Sequence, residues 1–240
     1  MSGHSHWSGI KHKKELTDAK RGKIFTKAAR LITVSAKQGG LDPDMNPTLR
    51  LAIEKAKTVN MPKANIERAI QKASIKDSGA NIEAVSYEAF GPGGVAMIIQ
   101  GLTDNKNRAV GDVRRTVTKH GGRMAENGSV VWMFTTKSRI KILNQSDLKI
   151  SDNDLELAII ESGADDIKKE DDEILIYSEP NTTQTVQTSL EKHGIQTSSP
   201  EIELIPKQTV ELDKKDQEKL EKILEALDDC DDVVEIFTNS

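Results

Sequence analysis

Over residues 18–38 the residues Ile24, Ala28, Leu31 and Ile32, with the small Ser35, recur at helical spacing on one side. Lys20, Lys23, Lys27, Arg30 and Lys37 fall on the other. This predicts an amphipathic helix, ended by Gly39-Gly40. Asn46-Pro47 supplies a cap and a first-turn proline for a second helix to about Val59, with Leu49, Ile53 and Ala56 inside. Asn60 and Pro62 break it. Pro62 can open a third helix whose inner side is Ile66, Ala69, Ile70 and Ala73. Three such helices with short connections predict a small bundle. Residues 76–84 are small and polar and read as a linker.

From Val85 the period shortens to that of strands. SYEAF and VAMIIQGLT flank Gly91-Pro92-Gly93-Gly94, which reads as a turn. Asn105 to Lys119 reads as a helix capped from Thr103 or Asp104 and stopped by Gly121-Gly122. Ser129 to Phe134 reads as a strand. Residues 138–205 then run β-α-β-β-α-β, with strands RIKIL, ADDIK, EILIY and EIELI and helices near 152–162 and 181–193. TVEL, a helix from Asp213 to Leu227 and the strand VVEIFT close the chain. The predicted fold class is α+β multidomain. An N-terminal three-helix domain precedes two two-layer α+β domains of ferredoxin-like element order, the second inserted in the first. The expected divisions are 1–76 for a basic arm plus helical domain, 77–137 with 206–240 for one α+β domain, and 138–205 for the inserted one.

A chain of 240 residues has room for several cores, and 3% aromatic content means that Ile, Leu, Val and Ala build them. One cysteine, Cys230, excludes an internal disulfide and fits a reducing compartment. No apolar run suits a secretory signal or a membrane span, so the expected location is cytoplasmic.

Charge changes this picture more than composition does. Residues 1–76 hold 16 Lys+Arg and 6 Asp+Glu, a balance of +10, and the remainder balances at −14. The formal net charge of −4 conceals that polarity. Ser2 to Gly9 is too small and polar to make a core, yet carries His4, His6 and Trp7; Lys11, His12, Lys13 and Lys14 follow. A cationic arm leading into a basic helix suits phosphate backbones. Lys11, Lys13, Lys14, Lys20 and Arg21, continued by Lys23, Lys27 and Arg30, would neutralise phosphates. Trp7 could stack on an unpaired base or anchor on the helical bundle. A second basic line, Arg108, Arg115 and Lys119, shares a stripe with Asp112 opposite Val110, Val113 and Val117. It reads as further phosphate contact or as a solvated face with an Asp112–Arg115 or Asp112–Arg108 pair.

Other chemistry is weaker. The glycine turn at 91–94 lacks the Lys-Ser/Thr of a nucleotide loop and joins two strands. Gly22-Lys23 lacks that motif's upstream glycine. His4, His6 and His12 have no cysteine partner for zinc. With Met1 removed, Ser2-Gly3-His4 could form a square-planar Cu(II) or Ni(II) site, but no physiological cofactor or metal is expected. Asp165-Asp166, Glu170 to Glu173 and Asp228 to Asp232 lack calcium-loop spacing and read as solvated surface. Cys230, among carboxylates that oppose its thiolate, reads as a bystander. No Ser-His-Asp, Cys-His or metal-hydrolase signature is present.

The string GHSHWSGIKHKKELTDAKRGKIFTKAARLITVSAKQGG resembles the start of the YebC family. NMPKANIERAI, YEAFGPGGVAMII, LTDNKNRAVGDVRRTVTKHGG, NGSVVWMF and TVELDKKDQEKL extend the resemblance over nearly the whole chain. The family is also similar to the mitochondrial translational activator of cytochrome c oxidase. The resemblance implies a helical domain followed by two α+β domains, no catalysis, and a cytoplasmic regulator of gene expression. Some members are described as DNA-binding transcriptional regulators, others as ribosome-associated factors that help translation through proline-rich stretches. Here His6 stands where a lysine is common, and Ser8-Gly9 where Ala-Asn is common. His6 thus replaces a fixed charge by one that titrates near neutrality.

The combined expectation is a non-enzymatic nucleic-acid-binding regulator. Its partner would be ribosomal RNA, the ribosome itself, or DNA, with no membrane and no small-molecule substrate. The rivals are a metal-dependent nuclease built on the acidic clusters and a pure protein-interaction scaffold. Lysines position without specifying sequence, and the histidine- and glycine-rich arm with its tryptophan suits irregular or single-stranded RNA better than uniform duplex.

Overall fold

The computed structural model describes residues 18–74, 82–143, 151–170 and 173–240. The chain divides into two compact units, Met1–Met133 with Pro206–Ser240, and Phe134–Ile205.

The first unit begins with helices α1 (Asp18–Gly39), α2 (Pro47–Thr58) and α3 (Lys63–Ser74). Ile32, Ala36, Leu49, Ala52, Ala56, Met61, Ile66 and Ala69 form their shared core. Burial on α1 is wider than the apolar stripe suggests, because Thr33, Val34 and Ala36 are buried with Ile32 and Ser35. α1 packs against both α2 and α3. The Thr33 hydroxyl donates to the Ala29 and Ala69 carbonyls, so its burial leaves no unmet donor. Asn46 caps α2 by accepting from the Leu49 amide at 3.0 Å, and its own amide donates to the Ser35 and Gly40 carbonyls, each at 2.8 Å. One buried side chain thereby ends α1, starts α2 and fixes the angle between them.

The unit continues as β1 (Glu83–Phe90), β2 (Ala96–Thr103), α4 (Lys106–Lys119) and β3 (Arg123–Met124). It is completed after the insertion by α7 (Lys214–Asp228) and β8 (Val233–Thr238). The sheet order is β3-β1-β2-β8, with antiparallel pairs throughout. α4 and α7 pack together, and Ile99, Val113, Val117, Leu220, Ile223 and Leu227 fill the layer between helices and sheet.

The second unit holds β4 (Phe134–Lys141), α5 (Asp152–Glu161), β5 (Asp166–Glu170), β6 (Glu173–Ser178), α6 (Thr183–Lys192) and β7 (Glu201–Pro206). Its sheet order is β5-β6-β4-β7, and Ile140, Ile159, Ile176, Val186, Leu190 and Ile195 are central to its core. The fold is thus a helical region followed by two four-stranded antiparallel sheets, the second inserted in the first. Only the inserted unit runs β-α-β-β-α-β. The first reaches four strands as β-β-α-β, then α-β.

Three local expectations change. The cap of α4 is Asn105, which accepts from the Arg108 amide at 3.0 Å; Thr103 instead accepts from the Asn105 amide. TVEL makes no strand. Val210 is left a single bond to the Asn239 carbonyl, 2.7 Å. Ser129 to Phe134 is not one strand either. Val131–Met133 is a 3-10 turn, and β4 starts at Phe134.

The cause is Glu88, whose buried carboxylate accepts from the amides of Gly128, Val130 and Val131. Those amides are lost to any ladder, and Trp132 is left 64% exposed at the end of the pinned loop. Burial pushes the Glu88 carboxyl up, but the three amides outweigh it and hold it below the ordinary glutamate value. A depressed folded pKa gives stability that is complete above the unfolded value and lost as pH falls through the folded one. Glu88→Gln is therefore expected to cost about 2–3 kcal/mol at neutral pH. The gap between the two melting temperatures should be wide at about pH 7 and narrow at about pH 3.

Candidate nucleic-acid interface

α1 carries no carboxylate after Asp18. Lys23, Lys27 and Arg30 sit four and three residues apart on it, so they form one row. The row faces the segment between α7 and β8. Lys23 Nζ donates to the Asp229 carbonyl at 3.0 Å and lies 3.4 Å from its carboxylate. Lys27 Nζ donates to the Asp228 carbonyl and lies 3.3 Å from its carboxylate. Arg30 Nη1 donates to the Asp231 carbonyl at 2.9 Å and to Asp232 Oδ1 at 2.6 Å. From α4, Arg108 Nη2 donates to both oxygens of Asp232, at 3.1 and 3.2 Å, and to Asp104 at 2.6 Å. The bond to Arg108 holds the Asp104 carboxyl below its ordinary range.

Asp232 is the hub of this contact, its side chain only 10% exposed. Its carbonyl accepts from the Leu102 amide at 2.8 Å, where the β2–β8 register shifts at Gln100/Gly101. A Cβ on Gly101 would lie 2.3 Å from that carbonyl. The glycine in an otherwise apolar strand is what lets the acidic segment seat against β2.

The reading of Asp228 to Asp232 as solvated surface is thus corrected for Asp228 and Asp232, while Asp229 and Asp231 remain exposed. The run lies on the cations of α1 and α4, because a strip of positive charge facing a strip of negative charge within one unit pairs before either is hydrated alone. Cys230, in the middle of the run, is half-buried, and burial first, with the carboxylates of Asp112 and Asp229 adding to it, pushes its thiol up.

The structure therefore brings Lys23, Lys27, Arg30 and Arg108 together. Arg115 lines the same cleft, pairs with Asp112 at 2.7 Å and is 77% exposed. Arg21 and Lys119 are exposed on α1 and α4. Lys20 lies in α1 with its side chain outside the described residues, as are His4, His6, Trp7, Lys11, His12, Lys13 and Lys14. Sequence reasoning missed Asp228, Asp229 and Asp232 as partners of the basic row. It also missed Arg68 and Lys72 of α3, which with Arg30 line a groove beside α1. Among the described residues no three His, Cys, Asp or Glu side chains group as ligands for a metal, and no described helix is long and apolar enough to cross a membrane. What the site can do chemically is bind a run of anionic oxygens.

The sequence pattern of the TACO1/YebC protein N-terminal domain matches residues 5–76, and that of the TACO1/YebC second and third domain matches residues 82–240. A probable transcriptional regulatory protein of Desulforamulus reducens is 47% identical over 239 residues, spanning 100% of this chain and 98% of its own length. One of Desulfosudis oleivorans is 48% identical over 240 residues, with 100% and 96% covered. The crystal structure of a conserved hypothetical protein from Aquifex aeolicus superposes with a TM-score of 0.81 at 41% identity, covering 98% of this chain and 96% of that one. With both halves of its length matched and its three-part fold shared, the chain belongs to the TACO1/YebC family.

Proposed function

We propose that the protein is a non-enzymatic regulator of gene expression that grips nucleic-acid phosphates with its basic N-terminal arm and α1, and that its target is RNA, as a ribosome-associated translation factor. The observation that supports this reading is the row Lys23, Lys27 and Arg30. Together with Arg108 it already holds a string of carboxylate and carbonyl oxygens. Those oxygens stand where phosphate oxygens would. Charge assistance makes such bonds strong, and arginine's fork suits phosphate as well as carboxylate. The side chains are almost all lysine and arginine, which fix a backbone without reading base edges. The names of the relatives favour a second reading, promoter DNA.

Salt tests the grip. Five phosphates neutralised by Lys11, Lys13, Lys14, Lys20 and Arg21 give a slope of log K against log salt of roughly −3.5 on single strands, or roughly −4.5 on duplex. Deleting residues 2–14 removes three of those lysines. Fluorescence anisotropy on a single strand should then show the slope shallower by about 2, with the melting temperature nearly unchanged. A flat response in the intact protein would mean that the lysines are only a solvated face. Sedimentation separates the targets. Association with ribosomes at low salt and release at high salt support RNA. A thousandfold promoter preference with no ribosome association supports DNA.

A further inference from the structure

A groove of about 440 Å³ runs between α1 and α3. Phe25, Ala29 and Met61 supply an apolar floor, and Arg30, Arg68 and Lys72 stand along it. Its described lining contains no carboxylate, in a chain with 38 Asp+Glu. The cleft between α1 and α4 is the opposite case, where Asp104, Asp112, Asp229, Asp231 and Asp232 offset the cations. Arg68 and Lys72 are exposed and one turn apart on α3. Among the described residues the Arg68 guanidinium donates to the Asn65 side chain, at 3.3 Å, and no carboxylate pairs with Arg68 or Lys72.

We propose that this groove binds one unpaired nucleotide of a single strand, its base against Phe25 and Met61 and its flanking phosphates on Arg68 and Lys72. The inference rests on the RNA reading above and names the subsite through which that reading would act. Charge selects the occupant: a cation-lined groove without carboxylates fits a polyanion. The apolar floor adds what a bare polyanion lacks, a surface for a π-face or an apolar edge. The groove has the size of a small-ligand site. A base paired inside a helix cannot enter it, whereas a splayed base can. Arg30 lines both the groove and the basic row, so a strand lying along Lys23 and Lys27 reaches the groove without leaving the cations. An acidic amphipathic peptide would satisfy the same charges, but it would not require the aromatic ring.

The test uses the full chain and three probes of equal length: an unstructured mixed-sequence RNA, the same phosphodiester strand without bases, and an RNA duplex. The RNA should bind about tenfold more tightly than the abasic strand, in the range of stacking on an aromatic side chain. Phe25→Leu keeps apolar volume while removing the ring, and should erase most of that difference. Arg68→Ala with Lys72→Ala, at exposed positions, should weaken RNA and abasic strand alike by several-fold. Crosslinks from 4-thiouridine should map to α1 and α3.

If RNA and abasic strand bind equally well, the groove proposal falls while the phosphate grip stands. If neither binds, both fall. A base-dependent difference that survives Phe25→Leu but vanishes in Trp7→Ala would place the stacked base on the arm and overturn the proposal. So would displacement of an acidic helical peptide, but not of RNA, by the Arg68 and Lys72 exchanges.

Discussion

Exchanging Asp228 and Asp229 together for asparagine is expected to raise the affinity for single-stranded RNA about tenfold at low salt and to steepen the salt slope by about 1.4. Both carboxylates lie on lysines of the row, Lys27 and Lys23. While they do, a phosphate that approaches α1 must displace a negative charge already in place. Asparagine keeps the shape and leaves the backbone carbonyls as acceptors, but removes that competitor. Two lysines then become available to phosphate, each contributing roughly 0.7 to the single-strand slope. The side chains of Asp229 and Lys23 are 53% and 43% exposed, so that half of the exchange should cost little stability, whereas Asp228 and Lys27 are 30% and 11% exposed and carry most of the cost. Anisotropy titrations at several salt concentrations measure both quantities. An unchanged affinity with an unchanged slope would mean that the row stays on the acidic segment when RNA binds, leaving the arm as the grip.

Asp232 should behave differently. Asp232→Ala is expected to destabilise the fold by about 2–4 kcal/mol, against less than about 0.5 kcal/mol for Asp229→Ala. The carboxylate is nearly buried and ties Arg30 of α1 to Arg108 of α4. Its removal takes the shared acceptor from two guanidinium groups, leaving Arg30 on the Asp231 carbonyl and Arg108 on Asp104, and breaks the tie between α1 and α4. For a protein of this size such a loss lowers the melting temperature by about 5–15 °C. Gly101→Ala gives an independent route to the same result, since its methyl would collide with the Asp232 carbonyl and shift the carboxylate without deleting it. Calorimetry on the three variants decides. Equal small effects at 229 and 232 would mean that both arginines find water as readily as they find Asp232.

Much of the architecture was legible locally. Asn46-Pro47 announced a helix start because capping is settled within four residues, and the side chain does accept from Leu49. The insertion was legible because β-α-β-β-α-β is complete between 134 and 206 while the flanking elements are not. What failed had distant causes. VVWMF is strand-prone on its own, but its amides belong to a carboxylate 40 or more residues away. The acidic run after α7 looked solvated because its partners on α1 lie about 200 residues earlier. One cue to that contact was present. Gly101 sits in the apolar stretch AMIIQGLT, where a glycine marks close approach of another backbone. The groove was invisible because Arg68 and Lys72 follow a solvated-face pattern, and only the packing of α3 beside α1 turns them toward a common cavity.

The splice that carries the second sheet is tied at its base. The Lys207 amide donates to the Met133 carbonyl at 2.9 Å, and its ammonium donates to the Trp132 carbonyl at 2.8 Å. The chain leaves the first unit and re-enters it through the same doorway. Whatever happens between those two residues, the α7–β8 segment is delivered to β2 from one position. The insertion is consequently a cassette whose entry and exit, between Met133 and Lys207, are held side by side within the first unit.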